Sequence, residues 1–236
     1  MPKTAIILGA TGLTGRLLTE LLIQDPEYSK IKLFTRRPTE FSNPKIEEII
    51  CDLLHLENVK DQFTGDVVFC CIGTTKAKTP DRDLYYNIDY GIPINSAQLA
   101  KENKIDTFIV ISSIGTSEKS PFFYVRTKGE MERDLLKIEI PNTYIMKPAF
   151  INGRPDDDRK GEKGLKFFMR ISDFFMIGPL KKYRSTQALQ IAQAMVRLSY
   201  NCYNKLLISN KEIKKLSENY ASWQELHLKN KLKNES

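Results

Sequence analysis

The stretch that most restricts this chain is Gly9-Ala10-Thr11-Gly12-Leu13-Thr14-Gly15, almost at its start. It follows a β-rich apolar run, Thr4–Leu8. It precedes a segment that places Leu17, Leu18, Leu21 and Leu22 on one side of a helix reaching about Gln24. Three glycines in register between a strand and a helix carry a physical requirement. Gly9 permits the tight turn, Gly12 lets the backbone approach a pyrophosphate, and Gly15 lets helix and strand pack closely. The helix N-terminus then faces negative charge. A parallel α/β sheet whose first crossover holds a dinucleotide is the expectation.

The rest of the chain supports that architecture. Lys32–Thr35, Glu48–Cys51, Val67–Ile72, Thr107–Ile111 and Tyr144–Met146 read as strands. The run at 67–72 is continuously apolar, as a strand covered on both faces should be. Helices are expected over Leu84–Glu102, with a start made irregular by Gly91 and Pro93, and over Phe122–Lys137. Repeated β-α units of this length predict a doubly wound parallel sheet of the Rossmann type. After Pro148 the alternation weakens. Gly153–Gly164 reads as a charged loop, Phe167–Phe175 and Ala188–Leu198 as helices, and Leu206–Ile208 as a last strand. The chain is therefore read as one domain over 1–236: a dinucleotide-binding core at 1–148, and a small C-terminal substrate cap with helices at 149–236.

The end of the second strand selects the cofactor. An acidic residue there holds a ribose 2′-hydroxyl, whereas arginine accommodates a 2′-phosphate. Here the sequence is Thr35-Arg36-Arg37-Pro38, with no acid, and two guanidiniums suit a phosphate dianion. NADP(H) is expected over NAD(H). Asp52 is a candidate acceptor for the adenine amino group, although an Asp after a strand is also a common turn residue. Ile72 and Gly73 follow the fourth strand, where the backbone comes close to a cofactor.

A tyrosine four residues before a lysine puts both on one helix face, where the ammonium can stabilise a tyrosinate. Two such pairs exist, Tyr28/Lys32 and Tyr124/Lys128. Position separates them. Tyr28 and Lys32 fall at the amino edge of the sheet, away from the glycine loop. Tyr124 and Lys128 begin the helix after strand five, whose carboxyl end carries Ser112-Ser113. Tyr124 is assigned as general acid/base, Lys128 as its tuner and a hold on the nicotinamide ribose. Ser113, with Ser112 as its alternate, is assigned as donor to the carbonyl oxygen. Small polar residues that merely cap the strand are the competing reading of the serines.

The formal charge of +7 admits polyanions, but the basic residues are scattered rather than striped, which argues against nucleic acid. The Lys-rich tail after Lys211 reads as a solvated helix. Cys51, Cys70, Cys71 and Cys202 read as small apolar residues in a reducing cytosol, and the start of the chain does not fit a secretory signal, so a cytoplasmic protein is expected. With two histidines and no ligand spacing, no metal is expected. Asp156-Asp157-Asp158, flanked by Arg154, Arg159 and Lys160, reads as a solvated loop. The apolar stretch Phe167–Leu180 is broken by Arg170, Asp173 and Pro179, so no membrane span is expected.

Together the glycine loop, Arg36-Arg37, Cys-Cys-Ile-Gly-Thr-Thr at 70–75, Ser112-Ser113 and Tyr-Val-Arg-Thr-Lys-Gly-Glu at 124–130 resemble the atypical short-chain dehydrogenase/reductases, in particular the Tat-interacting-protein-like oxidoreductases. The resemblance runs from Thr4 to about Leu198. It implies an NADPH-binding Rossmann fold, with Thr11, Leu13 and Thr14 as further loop contacts and Ile151 and Arg159 as contacts from the later segment. Lys147 stands where the family often has Arg, and Asn87 is the weak counterpart of the asparagine that completes the proton relay in other short-chain enzymes. The function expected is hydride transfer to or from a small carbonyl or alcohol. Two alternatives stand beside it: a non-catalytic NADPH-sensing regulator, and a nucleotide-sugar epimerase or dehydratase. The aromatic run at 167–176 keeps a protein partner or a homodimer open.

Overall fold

The computed structural model describes residues 2–152, 185–200 and 203–234. Gly153–Gly164, Asp156-Asp157-Asp158, Arg159, Phe167–Phe175 and Cys202, for which the sequence carries expectations, lie outside them.

Seven strands form one parallel sheet: β1 (Lys3–Leu8), β2 (Tyr28–Thr35), β3 (Ile46–Ile50), β4 (Val67–Cys70), β5 (Thr107–Ile111), β6 (Asn142–Lys147) and β9 (Leu207–Ser209). Their spatial order is β3-β2-β1-β4-β5-β6-β9. Between the last two in sequence lie β7 (Ile151–Asn152) and β8 (Thr186–Gln187), paired parallel as a separate ladder. The order reverses direction between β1 and β4, and open α/β sheets bind ligands outside the carboxyl ends of the strands at such a point. The doubly wound parallel sheet is as expected.

Both faces are covered. On one, α1 (Leu13–Gln24), α5 (Ala188–Leu198) and α6 (Asn210–Ser217) bury Leu18, Leu22, Ile191, Met195 and Ile213 against Ala5, Ile7 and Tyr144. On the other, the 3-10 run Leu53–Gln62, α3 (Ile92–Glu102) and α4 (Phe123–Leu136) bury Leu56, Ile92, Met131 and Leu135 against Ile6, Phe34 and Val68. Each fully buried side chain of this size contributes about 1.5–3 kcal/mol. The 3-10 run was not expected, because it shows no sustained apolar period.

The segment after residue 148 differs from the expected cap in its described part. β9 joins the main sheet beside β6, and α5 packs along α1. The apolar stripe of α5 needs a buried partner, and Leu18 and Leu22 supply one. The Lys-rich tail is likewise more than a solvated helix. It forms α6, closed by a Ser209/Glu212 capping box, and α7 (Tyr220–Asn234), whose Trp223 and His227 rings meet Tyr200 at 5.5 and 4.6 Å.

Two local irregularities position the site. α2 (Arg82–Tyr86) runs into α3 through a π turn at Asn87–Gly91. Pro93 lacks the N–H that would bond the Asp89 carbonyl, and the backbone N–H of Ile92 reaches back to Asn87 instead. The second irregularity is in β2, which begins at Tyr28 rather than Lys32. Exposed Ser29 and Lys30 hide its start from a hydrophobicity pattern, and the pairing with β1 skips one residue there, Lys3 with Tyr28 and Thr4 with Lys30. That bulge inverts the alternation. Tyr28 shares a core layer with Ile31 and Leu33, its hydroxyl 2.6 Å from Ser199 Oγ. Lys32 reaches Gln62 O and Thr64 Oγ1, at 2.9 and 2.8 Å, beside Phe63 in the opposite layer. The two members of this pair therefore lie on opposite sides of the sheet.

Tyr28→Phe removes the bond to Ser199. It is expected to cost about 0.5–1.5 kcal/mol in a denaturant titration and to leave cofactor affinity unchanged. A change in affinity would contradict a purely structural place for this tyrosine.

Candidate active site

The turn between β1 and α1 is built without side chains. Gly9 has φ +85°, and a Cβ on Gly15 would sit 2.1 Å from the Gly9 carbonyl oxygen. α1 consequently starts directly on the end of β1. Its cap residue is Gly12, with no side-chain cap and no acid in the first turn. The first-turn N–H groups of a helix have no intrahelical acceptor, so here they face an anion's position with no carboxylate in competition. Thr11 is exposed, Leu13 half-buried and Thr14 buried. Across the turn, Gly9 packs on the Cys71 carbonyl and the Ile72 side chain, which brings the ends of β1 and β4 together.

At the end of β2 the Thr35 hydroxyl donates to Arg37 O at 2.9 Å, fixing the turn that displays Arg36 and Arg37. Both are exposed, and among the described residues neither is paired with a carboxylate. At the end of β3, Asp52 accepts from Leu54 N at 3.0 Å and caps the 3-10 run, so one of its oxygens has the structural role that a turn aspartate usually has. Ile151 is half-buried in β7.

The Tyr–Lys pair stands on the first two turns of α4. Tyr124 is 43% exposed, whereas Lys128 is buried with its Nζ 2.8 Å from Asp89 Oδ1, the two side chains 4% and 1% exposed. The other Asp89 oxygen accepts from Thr74 N at 2.8 Å. A Cβ on Gly73 would lie 4.0 Å from Lys128 Nζ and 3.8 Å from Asp89 Oδ1. One carboxylate on the π turn thus ties the loop after β4 to the helix after β5. Burial pushes the Lys128 ammonium down, but Asp89 and then Tyr124 more than offset it, and its pKa is held above the usual lysine range. Beneath it, burial pushes the Cys70 thiol up to about 11, so that group stays neutral.

Sequence reading missed Asp89. Its signal was the proline four residues on, which opens the helix at this carboxylate. Asn87, two residues earlier, is exposed.

The two serines part company. Ser112 is buried and donates to Glu132 Oε1; Thr116 donates to the same oxygen at 2.7 Å, and Lys147 Nζ meets Glu132 Oε2 and Thr116 Oγ1, both at 2.6 Å. This cluster clamps the loop after β5 onto α4 and β6. Lys147 makes the contacts here that explain a basic residue before Pro148. The Ser113 hydroxyl is half-buried with only a long contact to Ile114 O, 3.4 Å. Among the described residues no group of His, Cys, Asp and Glu is arranged to hold a metal, and no helix is long and apolar enough to cross a membrane.

A family model described as NAD(P)H-binding matches residues 9–172. Protein FMP52, mitochondrial, of Candida albicans is 36% identical over 167 residues, covering 69% of this chain and 71% of that protein. Protein HTATIP2 of Rattus norvegicus is 30% identical over 181 residues, covering 75% and 74%. Among solved structures, a UDP-N-acetylglucosamine 4-epimerase from Methanobrevibacter ruminantium superposes with TM-score 0.67 at 18% identity over 88% of this chain and 76% of its own. The ADP-L-glycero-D-manno-heptose-6-epimerase of Helicobacter pylori gives 0.64 at 17% identity over 93% and 82%. The mitochondrial names of the yeast relatives overturn the cytoplasmic expectation. That reading weighed only a secretory signal and reduced thiols, and free thiols do not separate one reducing compartment from another.

Asp89→Asn leaves a buried ammonium without its counter-charge and is expected to destabilise the protein by about 3–5 kcal/mol at neutral pH. A lysine whose folded pKa is raised contributes stability that is complete below the unfolded value, about 10.4, and is lost as pH rises through the folded value. The gap between wild type and variant in denaturant midpoint should therefore narrow above about pH 10. A gap that is constant with pH would remove the ion pair as its cause.

Proposed function

This chain belongs to the NAD(P)H-binding family, and from that premise we propose that it is an NADP(H)-dependent oxidoreductase of the short-chain dehydrogenase/reductase type acting on a small carbonyl or alcohol. The observation that carries the reading is the pairing of an accessible Tyr124 with a buried Lys128, ion-paired to Asp89 beside Gly73.

The residues present fit such a cofactor. Gly9, Gly12 and Gly15 make a cradle that any side chain would fill, α1 offers uncapped N–H groups for the pyrophosphate, and Arg36 and Arg37 are available for a 2′-phosphate. Thr11, Leu13 and Thr14 line the same turn; Asp52 would hold the adenine, and Ile72 and Gly73 would let the backbone come close to the cofactor. Ile151 and Arg159 belong to this reading through the family likeness. The bound cofactor would supply or accept the hydride.

The chain's own groups do the rest. Tyr124 gives a proton to the substrate oxygen in reduction and takes it back in oxidation. Lys128, whose pKa Asp89 and then Tyr124 hold above the usual lysine range, presents its ammonium to the phenol. Ser113 donates to the substrate oxygen as it gains negative charge. Ser112 serves the reaction at one remove, by anchoring the loop that carries Ser113.

Two measurements test this. NADPH should bind more tightly than NADH by about 1–3 kcal/mol, roughly tenfold to a hundredfold, and Arg36→Ala with Arg37→Ala should abolish the preference. Equal affinities in a titration would refute the phosphate site. In a screen of carbonyl compounds with NADPH, Tyr124→Phe should cut turnover by about 10²-fold or more with cofactor affinity retained. Full turnover in that variant would refute the assignment.

A further inference from the structure

Buried Tyr28 and Tyr144 and half-buried Tyr200 bond through their hydroxyls. Tyr28 meets Ser199, Tyr200 donates to Asp25 at 2.6 Å, and Tyr144 accepts from Tyr203 N at 2.8 Å. Tyr85, on α2, does not. It is 4% exposed, and its hydroxyl has no hydrogen-bond partner among the described residues. Tyr220 shares that condition, but beside Asp25 at the amino edge. Tyr85 is set against the proposed active site. Its ring stands edge-on to Tyr124, centroids 6.2 Å apart at 80°, and to Phe123 at 5.5 Å. Asp89 follows it by one helical turn.

Leaving a buried donor unpaired costs stability, so a hydroxyl kept in that state points to a partner that exists only in another state of the site. Asp89 does not serve it here: its Oδ2 accepts from Thr74 N, its Oδ1 is ion-paired with Lys128 at 2.8 Å but makes no hydrogen bond, and the Tyr85 hydroxyl bonds neither. We propose that Tyr85 is a positioning residue for the ionised form of Tyr124: when Tyr124 gives up its proton, the phenolate oxygen becomes the acceptor that the Tyr85 hydroxyl lacks. No bond of Tyr85 breaks. The Tyr124 proton goes to the substrate oxygen, and the Tyr85 O–H turns toward the charge left behind. An interaction made only as charge develops lowers the barrier without tightening the ground state.

Tyr85 is suited to remain the donor. Burial, then the nearness of Asp89 and Tyr124, hold its phenol well above the usual range, so it keeps its proton and stays a donor. The charged groups around the two phenols are Asp89 from the π turn, Lys128 from α4, and Arg82 and Arg126, which lie 5.6 and 5.9 Å from the Phe123 ring. Cys70 of β4 is neutral below Lys128. Lys128 interacts electrostatically with Tyr124, and Tyr85 adds a neutral donor to it.

This inference deepens the oxidoreductase reading and rests on Tyr124 as the proton donor. Its test uses the full chain as Tyr85→Phe, which keeps both ring contacts. Without cofactor, the melting temperature should equal or exceed wild type, because no bond is lost; a fall of several degrees would make the hydroxyl structural and overturn the proposal. The ionisation of Tyr124, read by NMR on carbon-labelled tyrosine and assigned with Tyr124→Phe, should move up by about one to two pH units in Tyr85→Phe. The ascending limb of kcat/KM for alcohol oxidation should move with it. An unmoved Tyr124 titration overturns the coupling even if Tyr124 proves essential. Normal turnover of Tyr124→Phe, by contrast, refutes the oxidoreductase reading, while the titration still decides whether Tyr85 acts on Tyr124.

Discussion

An ammonium sealed from water has to be matched by a carboxylate, and much of the arrangement around Lys128 follows from meeting that demand with Asp89. The carboxylate must come from a neighbouring element, at the right depth, with its second oxygen also satisfied. The π turn at Asn87–Gly91 sets the depth by adding a residue to the helical turn where Pro93 cannot donate. Thr74 N satisfies the second oxygen, which fixes the backbone just after β4. A single ion pair thereby locks α4, the broken helix and the loop at the topological switch into one geometry. The neighbouring Glu132–Lys147 pair does the same for the loop after β5, and it does so with Ser112 and Thr116, leaving Ser113 outside the cluster.

Where sequence patterns are governed by period and by backbone permission, they read correctly. The glycine loop, the continuous apolar β4 and the stripe on α5 each have one physical explanation, and each stands where it was expected. The site was legible to the extent that it is local: Tyr124 and Lys128 share a helix face because they are four residues apart. What escaped notice is non-local. Asp89 meets Lys128 across 39 positions of chain, a relation no spacing rule encodes. The separation of Tyr28 from Lys32 depends on a bulge hidden by two polar residues, and periodicity alone would have put both on one face. Ser112 and Ser113 look alike in sequence; only the direction of a strand end distinguishes the clamp from the open hydroxyl.

The stretch after Pro148 shows the same limit from the other side. Weakened alternation left the place of the last strand and helix open, yet β9 needs only three residues to extend the sheet and α5 needs only an apolar stripe to cover α1. Short edge strands carry little pattern, so their place in a sheet is decided by what they find to pair with.

That placement couples the two ends of the chain. Lys3 Nζ bonds the Ser199 carbonyl at 2.7 Å, Tyr28 meets Ser199, and Asp25 meets Tyr200, contacts that span 196, 171 and 175 positions. The first β-α unit, which carries the glycine cradle, thus has one side of α1 uncovered until α5 has been synthesised and docked. Closing so long a loop is entropically costly and must precede any reward from the contacts it brings. Until α5 docks, Leu18 and Leu22 of the cradle's helix lack the apolar partners that they have in the folded chain. Contacts of such sequence separation weigh on the folding rate more than the local pairings do.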